Sequence, residues 1–302
     1  MLKIKRILWP TDFSRCATQA LGHAVHWARA YGAELHTLHA NVLLQNDSQH
    51  FPNEEIFNQQ LQDLSKHRMT STIQALQTDD LKIKPAQIRA ISTAPAILGY
   101  AKEHEIDLIV MGTHGRRGLG HLFLGSVAEE VVRLASCAVF TIRERETAAP
   151  VENMKRILVP VDFSEHAHQA LVYAKALAAF YQARLQLIHI IEEFIPPTFY
   201  MTTGVSTIMF SAELKVKTQE AMIELLQKTK GPKVEADFHV IEGNAAHDIV
   251  DFAKEKNSDL IVISTHGRTG LEHLLMGSVT EKVVRRAPCP VFTVRTFGKS
   301  LI

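Results

Sequence analysis

The sequence predicts an α/β chain built as two tandem copies of one doubly wound domain. Three observations carry this. Ile7-Leu8-Trp9-Pro10-Thr11-Asp12-Phe13-Ser14 recurs 150 residues later as Ile157-Leu158-Val159-Pro160-Val161-Asp162-Phe163-Ser164. Gly112 to Arg143 recurs as Ser264 to Arg295, offset by 152, with 21 of 32 positions identical. Each half alternates short apolar runs with amphipathic stretches, the pattern of parallel strands buried on both faces and joined by helices. A period this long is that of a duplicated domain, not of a solenoid repeat. Glu144 to Lys155, with Thr147-Ala148-Ala149-Pro150, reads as the linker. The halves are therefore placed at 1–146 and 147–302.

In the first half the expected strands are Arg6–Trp9, Glu34–Ala40, Ala86–Ile91, Asp107–Gly112 and Ala138–Ile142. Helical spacing fills Arg15–Tyr31, Glu54–Leu76, Ala94–His104 and His121–Leu134; Ala17, Ala20, Leu21, Ala24 and Ala28 share one face. Ser14 is a plausible N-cap for the first helix. The second half repeats the order, with strands at Arg156–Pro160, Ala183–Ile190, Val234–Ile241, Asp259–Ile263 and Pro290–Val294. The apolar segment from Ile195 to Phe210 breaks this rhythm and reads as a loop covering a site or an interface. The final strand of each half is an apolar edge, so the halves are expected to pack as an internal pseudo-dimer, with a homodimer as a further option.

Composition narrows the function. The 302 residues are 46% hydrophobic and 22% charged, with a formal net charge of +1. Nothing there argues for nucleic acid or for a membrane surface. The three cysteines, Cys16, Cys137 and Cys289, are scattered, which argues against a disulfide framework or a zinc finger. No signal peptide or spanning segment is read, and a reducing cytoplasm is the expected location.

In an open parallel sheet, ligands bind beyond the carboxyl ends of the strands, where the strand order reverses. The loop after the fourth strand begins Gly112-Thr113-His114-Gly115-Arg116 and reaches Gly125-Ser126 at the next helix. Glycines there let the backbone approach an anion and take positive φ, while successive amides and a helix N-terminus suit phosphate. Arg116 is a candidate partner for outer phosphates. The same glycines could simply make a tight turn; their recurrence after the matching strand favours the phosphate reading.

The spacing Gly112-x2-Gly115-x9-Gly125-Ser126, with Pro10-Thr11-Asp12 after the first strand, resembles the universal stress protein family, once in each half. The resemblance implies five-stranded sheets of order 3-2-1-4-5, of the adenine nucleotide alpha hydrolase type, in the ATP-binding branch of the family. It implies a nucleotide site of Pro10, Thr11, Asp12, Ala40, Met111, Gly112, Gly115, Arg116, Gly125, Ser126 and Val127. The second would use Pro160, Val161, Asp162, Ile190, Ile263, Ser264, Gly267, Arg268, Gly277, Ser278 and Val279. Mg2+ or Mn2+ would be held through the phosphates, with Asp12 and Asp162 as the protein carboxylates.

Two positions depart from the family pattern. Ser264 stands where the first motif glycine belongs, which favours the first site. Ile91-Ser92 replaces the glycine kept as Gly243 after the third strand, which favours the second. The loop glycine weighs more, since it would touch phosphate directly, so the first site is expected to be the stronger. Asp12 and Asp162 could instead serve the following helix. His114 and His266 read as loop residues, His39 and His189 as hydrogen-bonded core, Cys137 and Cys289 as packing, and Trp9 and Trp27 as core or interface. No P-loop, zinc helix or nucleophile elbow is present, and no catalytic residue is assigned. The expected function is an ATP-binding stress or regulatory protein; a slow ATP-hydrolysing or phosphate-transferring enzyme and a nucleotide-free scaffold are the alternatives.

Overall fold

A computed structural model describes residues 2–42, 54–76, 78–115, 124–144, 152–192, 207–267, 276–295 and 298–302, with 54–58 and 207–211 as backbone only. The chain divides into two compact units, one containing Leu2–Asn153 and the C-terminal tail, the other Met154–Thr296. Of the loop expected over Ile195–Phe210, residues 207–210 are instead the start of a helix, and 195–206 lie outside the described residues, as do the linker core 145–151, Arg116 and Arg268.

The first unit runs β1 (Arg6–Pro10), α1 (Arg15–Tyr31), β2 (Glu34–Val42), α2 (Glu54–Gln74), β3 (Ile83–Ala90), α3 (Thr93–Glu103), β4 (Leu108–Gly112), α4 (Ser126–Leu134) and β5 (Ala138–Ile142). Its strands are parallel, in the order β3-β2-β1-β4-β5. The second unit repeats this as β6 (Arg156–Pro160), α5 (Glu165–Tyr181), β7 (Arg184–Ile191), α6 (Thr207–Lys228), β8 (Ala236–Glu242), α7 (Ala245–Glu255), β9 (Leu260–Ser264), α8 (Ser278–Arg286) and β10 (Val291–Val294). Its order is β8-β7-β6-β9-β10, the same topology.

Local chemistry explains the element ends. Ser14 and Ser164 cap α1 and α5, their hydroxyls accepting from the amides of Ala17 (3.2 Å) and Ala167 (3.1 Å). Gly32 ends α1 in the left-handed conformation (φ 62°) and donates to the Ala28 and Arg29 carbonyls. Gln182 does the same for α5 at φ 52°, where a side chain costs more. β3 starts at Ile83, ahead of the expected Ala86, and runs through Pro85. Within its unit β3 pairs only with β2, and an outer strand tolerates a proline. α4 starts at Ser126, later than the expected His121.

The cores are the buried faces of these strands under the helices. Trp9 and Trp27 are fully buried, and the Trp9 indole donates to the Ala17 carbonyl at 2.8 Å, fixing α1 on β1. Among the described residues no helix is long and apolar enough to cross a membrane.

One contact set governs how β4 sits beside β1. The buried Asp107 carboxylate, just before β4, accepts from the amides of Lys5 (2.7 Å) and Arg6 (2.9 Å). Asp259 does the same for Lys155 and Arg156, both at 2.9 Å. In the first unit the tail 298–302 adds to this. Lys299 forms an ion pair with Asp107 (2.5 Å), its amide donates to the Ser136 carbonyl, and Leu301 is fully buried, its carbonyl accepting from the Lys3 amide. The repeat alone gave no sign of this association.

Asp107→Ala leaves the Lys5 and Arg6 amides without their acceptor and takes the ion pair from Lys299, which keeps the Glu105 carbonyl, so it should cost about 3 kcal/mol of stability. Asp259 is more exposed, its side chain at 31% against 4%, and among the described residues its ion pair is a longer one, with Arg156 at 3.9 Å, so Asp259→Ala should cost about half as much. Urea unfolding checks this, with tryptophan fluorescence reporting the first unit, which holds both tryptophans.

Candidate functional site

The β1–α1 turn is built tightly. Thr11 Oγ1 accepts from the Phe13 amide (2.9 Å), and Asp12 Oδ1 accepts from the Ser14 amide (3.0 Å). Between them Phe13 sits at φ 62°, and Phe163 in the second unit at φ 60°. A bulky residue in the left-handed region is strained and persists only where its surroundings fix it. The surroundings here are histidines. His39 Nδ1 lies 2.7 Å from the Thr11 carbonyl and His189 Nδ1 lies 2.6 Å from that of Val161. A carbonyl only accepts, so Nδ1 carries the proton in both rings. The His39 ring also packs on Phe13 at 4.7 Å between centroids, and His189 on Phe163 at 5.0 Å.

The other half of the site is the loop after β4. The Thr113 amide donates to the Ile142 carbonyl and the Gly125 amide to the Thr113 carbonyl, both at 2.8 Å. These bonds bring the start of α4 against the end of β4. Gly125 caps α4 with no side-chain hydrogen bond, so no side chain competes for the first-turn amides. Ser126 is exposed there and Val127 half-buried. The second unit repeats the frame: Thr265 to Val294 and Gly277 to Thr265, both at 2.9 Å, with α8 likewise uncapped by a side chain. His114 and His266 each bond through Nδ1 to the neighbouring threonine hydroxyl at 2.9 Å.

The two halves of the site meet at Asp12 and Gly115. A Cβ at position 115 would lie 2.6 Å from Asp12 Oδ2, and one at 267 would lie 2.8 Å from Asp162 Oδ2. Each aspartate thus serves its turn through one oxygen and lies against the glycine loop through the other. The first oxygen accepts from the amide of Ser14, the residue that caps α1, so Asp12 serves the following helix through its cap and does not cap it directly. Pro10 and Thr11 end β1, and Met111 and Ile263 are buried at the ends of β4 and β9. Ala40 and Ile190 lie in β2 and β7, one residue beyond the histidines that hold the turns.

The structure corrects the reason for the glycines. Those described at positive φ are Gly32, Gly231 and Gly243, none of them in the loops after β4 and β9. What the loops require is room. A Cβ at 112 would lie 2.6 Å from Cys16 Sγ, and one at 125 would lie 2.9 Å from the Thr113 carbonyl oxygen. Cys16 is fully buried, its thiol donates to the Ile142 carbonyl at 3.2 Å, and burial pushes its pKa up.

The same logic explains both departures from the repeat. His166 stands where Cys16 does, so the sulfur that crowds position 112 has no counterpart at that position of the second unit; the His166 ring lies 5.7 Å from that of His266. Ser264 Oγ donates to the His266 carbonyl at 2.6 Å. A Cβ at 243 would strike Asp248 Oδ2. Ala96 takes that aspartate's place in the first unit, and Ile91 is tolerated there, 81% exposed.

The sequence reading missed Phe13, Phe163, Cys16 and Thr280. The repeated Asp-Phe-Ser was the available signal for the first two.

Comparison with known proteins agrees with this geometry. The model of the universal stress protein family matches residues 3–143 and again 153–295. Two universal stress proteins of Methanocaldococcus jannaschii are 34% and 32% identical over 145 and 153 residues. These matches span 48% and 47% of this chain and 84% and 94% of theirs. A universal stress protein structure from Archaeoglobus fulgidus superposes with a TM-score of 0.68 at 21% identity, covering 96% of this chain and 98% of that one, which speaks to the fold.

If Gly112 is there for Cys16, Gly112→Ala should destabilise the first unit by about 2 kcal/mol. Cys16→Ala should recover part of it, with a coupling above about 0.5 kcal/mol in a double-mutant cycle. Ser264→Ala should cost about 1 kcal/mol through its lost hydrogen bond alone.

Proposed function

This chain belongs to the universal stress protein family, and we propose that each of its two domains binds ATP and that bound nucleotide sets a regulatory state of the protein. The observation that carries this is the meeting of Asp12 with Gly115, and of Asp162 with Gly267, beside a helix N-terminus at the carboxyl ends of the central strands. Amides at a helix start favour an anion through both hydrogen bonds and the macrodipole. The close glycine leaves no side chain between the backbone and a phosphate. The adenine would lie toward Ala40 and Met111 in the first domain and toward Ile190 and Ile263 in the second.

A free carboxylate beside a triphosphate is repulsive, and a divalent cation removes that conflict. Mg2+ keeps most of its waters and takes one or two carboxylates together with phosphate oxygens. One aspartate oxygen turned to each loop fits that donor set, so Asp12 and Asp162 would hold Mg2+ or Mn2+ jointly with the nucleotide. We assign no catalytic residue. A cytoplasmic setting is in keeping with three buried thiols that form no disulfide, of which Cys137 is pushed up to about 12 by burial.

Calorimetry with ATP and magnesium tests the reading. Two binding events per chain are expected, each weakened when EDTA removes the cation. Gly115→Val should remove one event and Gly267→Val the other, each by about tenfold or more in affinity, since the new side chain strikes the aspartate. Absence of heat at millimolar ATP with magnesium would defeat the proposal.

A further inference from the structure

The two loops share a backbone frame but differ in what locks it. In the second domain Thr280, in the first turn of α8, donates its hydroxyl to the Ser264 carbonyl at 2.7 Å. Ser264 in turn donates its own hydroxyl to the His266 carbonyl at 2.6 Å. Both side chains are buried, at 4% and 7% exposure. The chain of bonds runs from the helix start, through the end of β9, to the residue before Gly267. It therefore ties together the two elements whose amides face the same site. In the first domain the matching residues are Ala128 and Gly112, which have no hydroxyl to offer. There the helix start is joined to the end of β4 through the Gly125 and Thr113 backbone.

We propose that Thr280 and Ser264 are positioning residues that preorganise the second anion site, so that the second domain binds its phosphate ligand more tightly than the first. This rests on the nucleotide reading above and adds to it which site fills first and what sets the order. The physical basis is ordering cost. A loop already fixed in its binding geometry loses less conformational freedom when the ligand arrives. A hydroxyl bond inside a protein is worth enough to shift affinity by about fivefold if it is needed only to hold the bound geometry. The serine that departs from the glycine motif is then part of what strengthens its site.

Hydrogen exchange of the full chain, titrated with ATP and magnesium, reads the two sites separately. In the wild type, peptides spanning 260–267 and 276–286 should gain protection at about fivefold lower ATP than those spanning 108–115 and 124–134. Thr280→Val, equal in shape but lacking the hydroxyl, should raise the second midpoint to that of the first and leave the first unchanged. Thr280→Ser should restore the difference, which a merely space-filling role would not produce. Without ligand, Thr280→Val should speed exchange at 264–267 and leave 112–115 as it was. Equal midpoints in the wild type, no response to Thr280→Val, an equal response in both domains, or no rescue by serine would each overturn the inference while leaving ATP binding intact. No protection in either domain at millimolar ATP would instead bring down the nucleotide reading itself. Should Thr280→Val fail to fold, Ser264→Ala breaks the same chain of bonds at the strand end and carries the same comparison.

Discussion

β1 and β4 are in register over two residue pairs, Ile7 with Leu108 and Leu8 with Ile109, preceded by the Asp107 amide's bond to the Arg6 carbonyl, and the rest of the site follows from that short pairing. Asp107 holds the amino ends of the two strands together by accepting the Lys5 and Arg6 amides. Beyond Leu8 and Ile109 that pairing ends. Pro10, which has no amide to offer a neighbour, closes β1, and Gly112 closes β4. The loops that follow are free to turn toward one another across the opening between the strands. β6 and β9 reproduce this with Ile157, Leu158, Leu260 and Ile261. A topology that reverses at its first strand creates such a crevice as a matter of geometry. What the sequence adds is the chemistry placed on its two lips.

Those lips are held by different means. The aspartate turn carries strain at Phe13 and Phe163, and a protonated histidine nitrogen from the adjacent strand pins each one. The glycine loop shows no such strain at its described glycines and depends on clearance instead. This distinction changes what a substitution means. At a strained position the cost lies in the backbone and nearly any change is felt. At a crowded position the cost lies in one neighbour, and changing that neighbour can remove it. Cys16 with Gly112 against His166 with Ser264 is a paired exchange of the second kind, whereas Gly243, at φ 158° and with Asp248 in the way of a Cβ, combines both costs. The duplicated domains have diverged by trading partners across a contact, which leaves the strand frame untouched.

Much of this was legible in the sequence because repetition made weak local signals strong. The period, the strand order and the position of the glycine loop all came from comparing the chain with itself and from the family it resembles. The elements misjudged were those where a tertiary contact overrides a local preference: Pro85 tolerated in an outer strand, and α4 starting where Gly125 bonds to Thr113 and not at the first apolar residue. Positive φ at the loop glycines was expected, and among the described ones Gly112, Gly115, Gly125, Gly267 and Gly277 do not have it; a crowding neighbour 96 residues away leaves no mark in the motif. Lys175 was equally invisible. Its ammonium donates to the Leu226 and Thr229 carbonyls at the end of α6, where Val25 stands in the first half. A lysine among apolar helix residues reads as an error until the carbonyls it meets are known.

The last consequence concerns what a motif departure signifies. Ser264 in place of glycine reads as damage when the glycine is taken to face the ligand. The geometry turns the glycine of the first domain toward a cysteine and gives the serine of the second a hydrogen bond and a threonine above it. A consensus position can thus be set by a neighbour in one copy and by loop bracing in the other, with the backbone doing the same work in both. If both loops bind the same ligand, as proposed, two sites alike in frame but differently braced would respond to different concentrations of it. A single domain, or a faithful duplicate of it, could not give that separation, and on this reading the divergence of the two loops would be a functional property and not an erosion of the repeat.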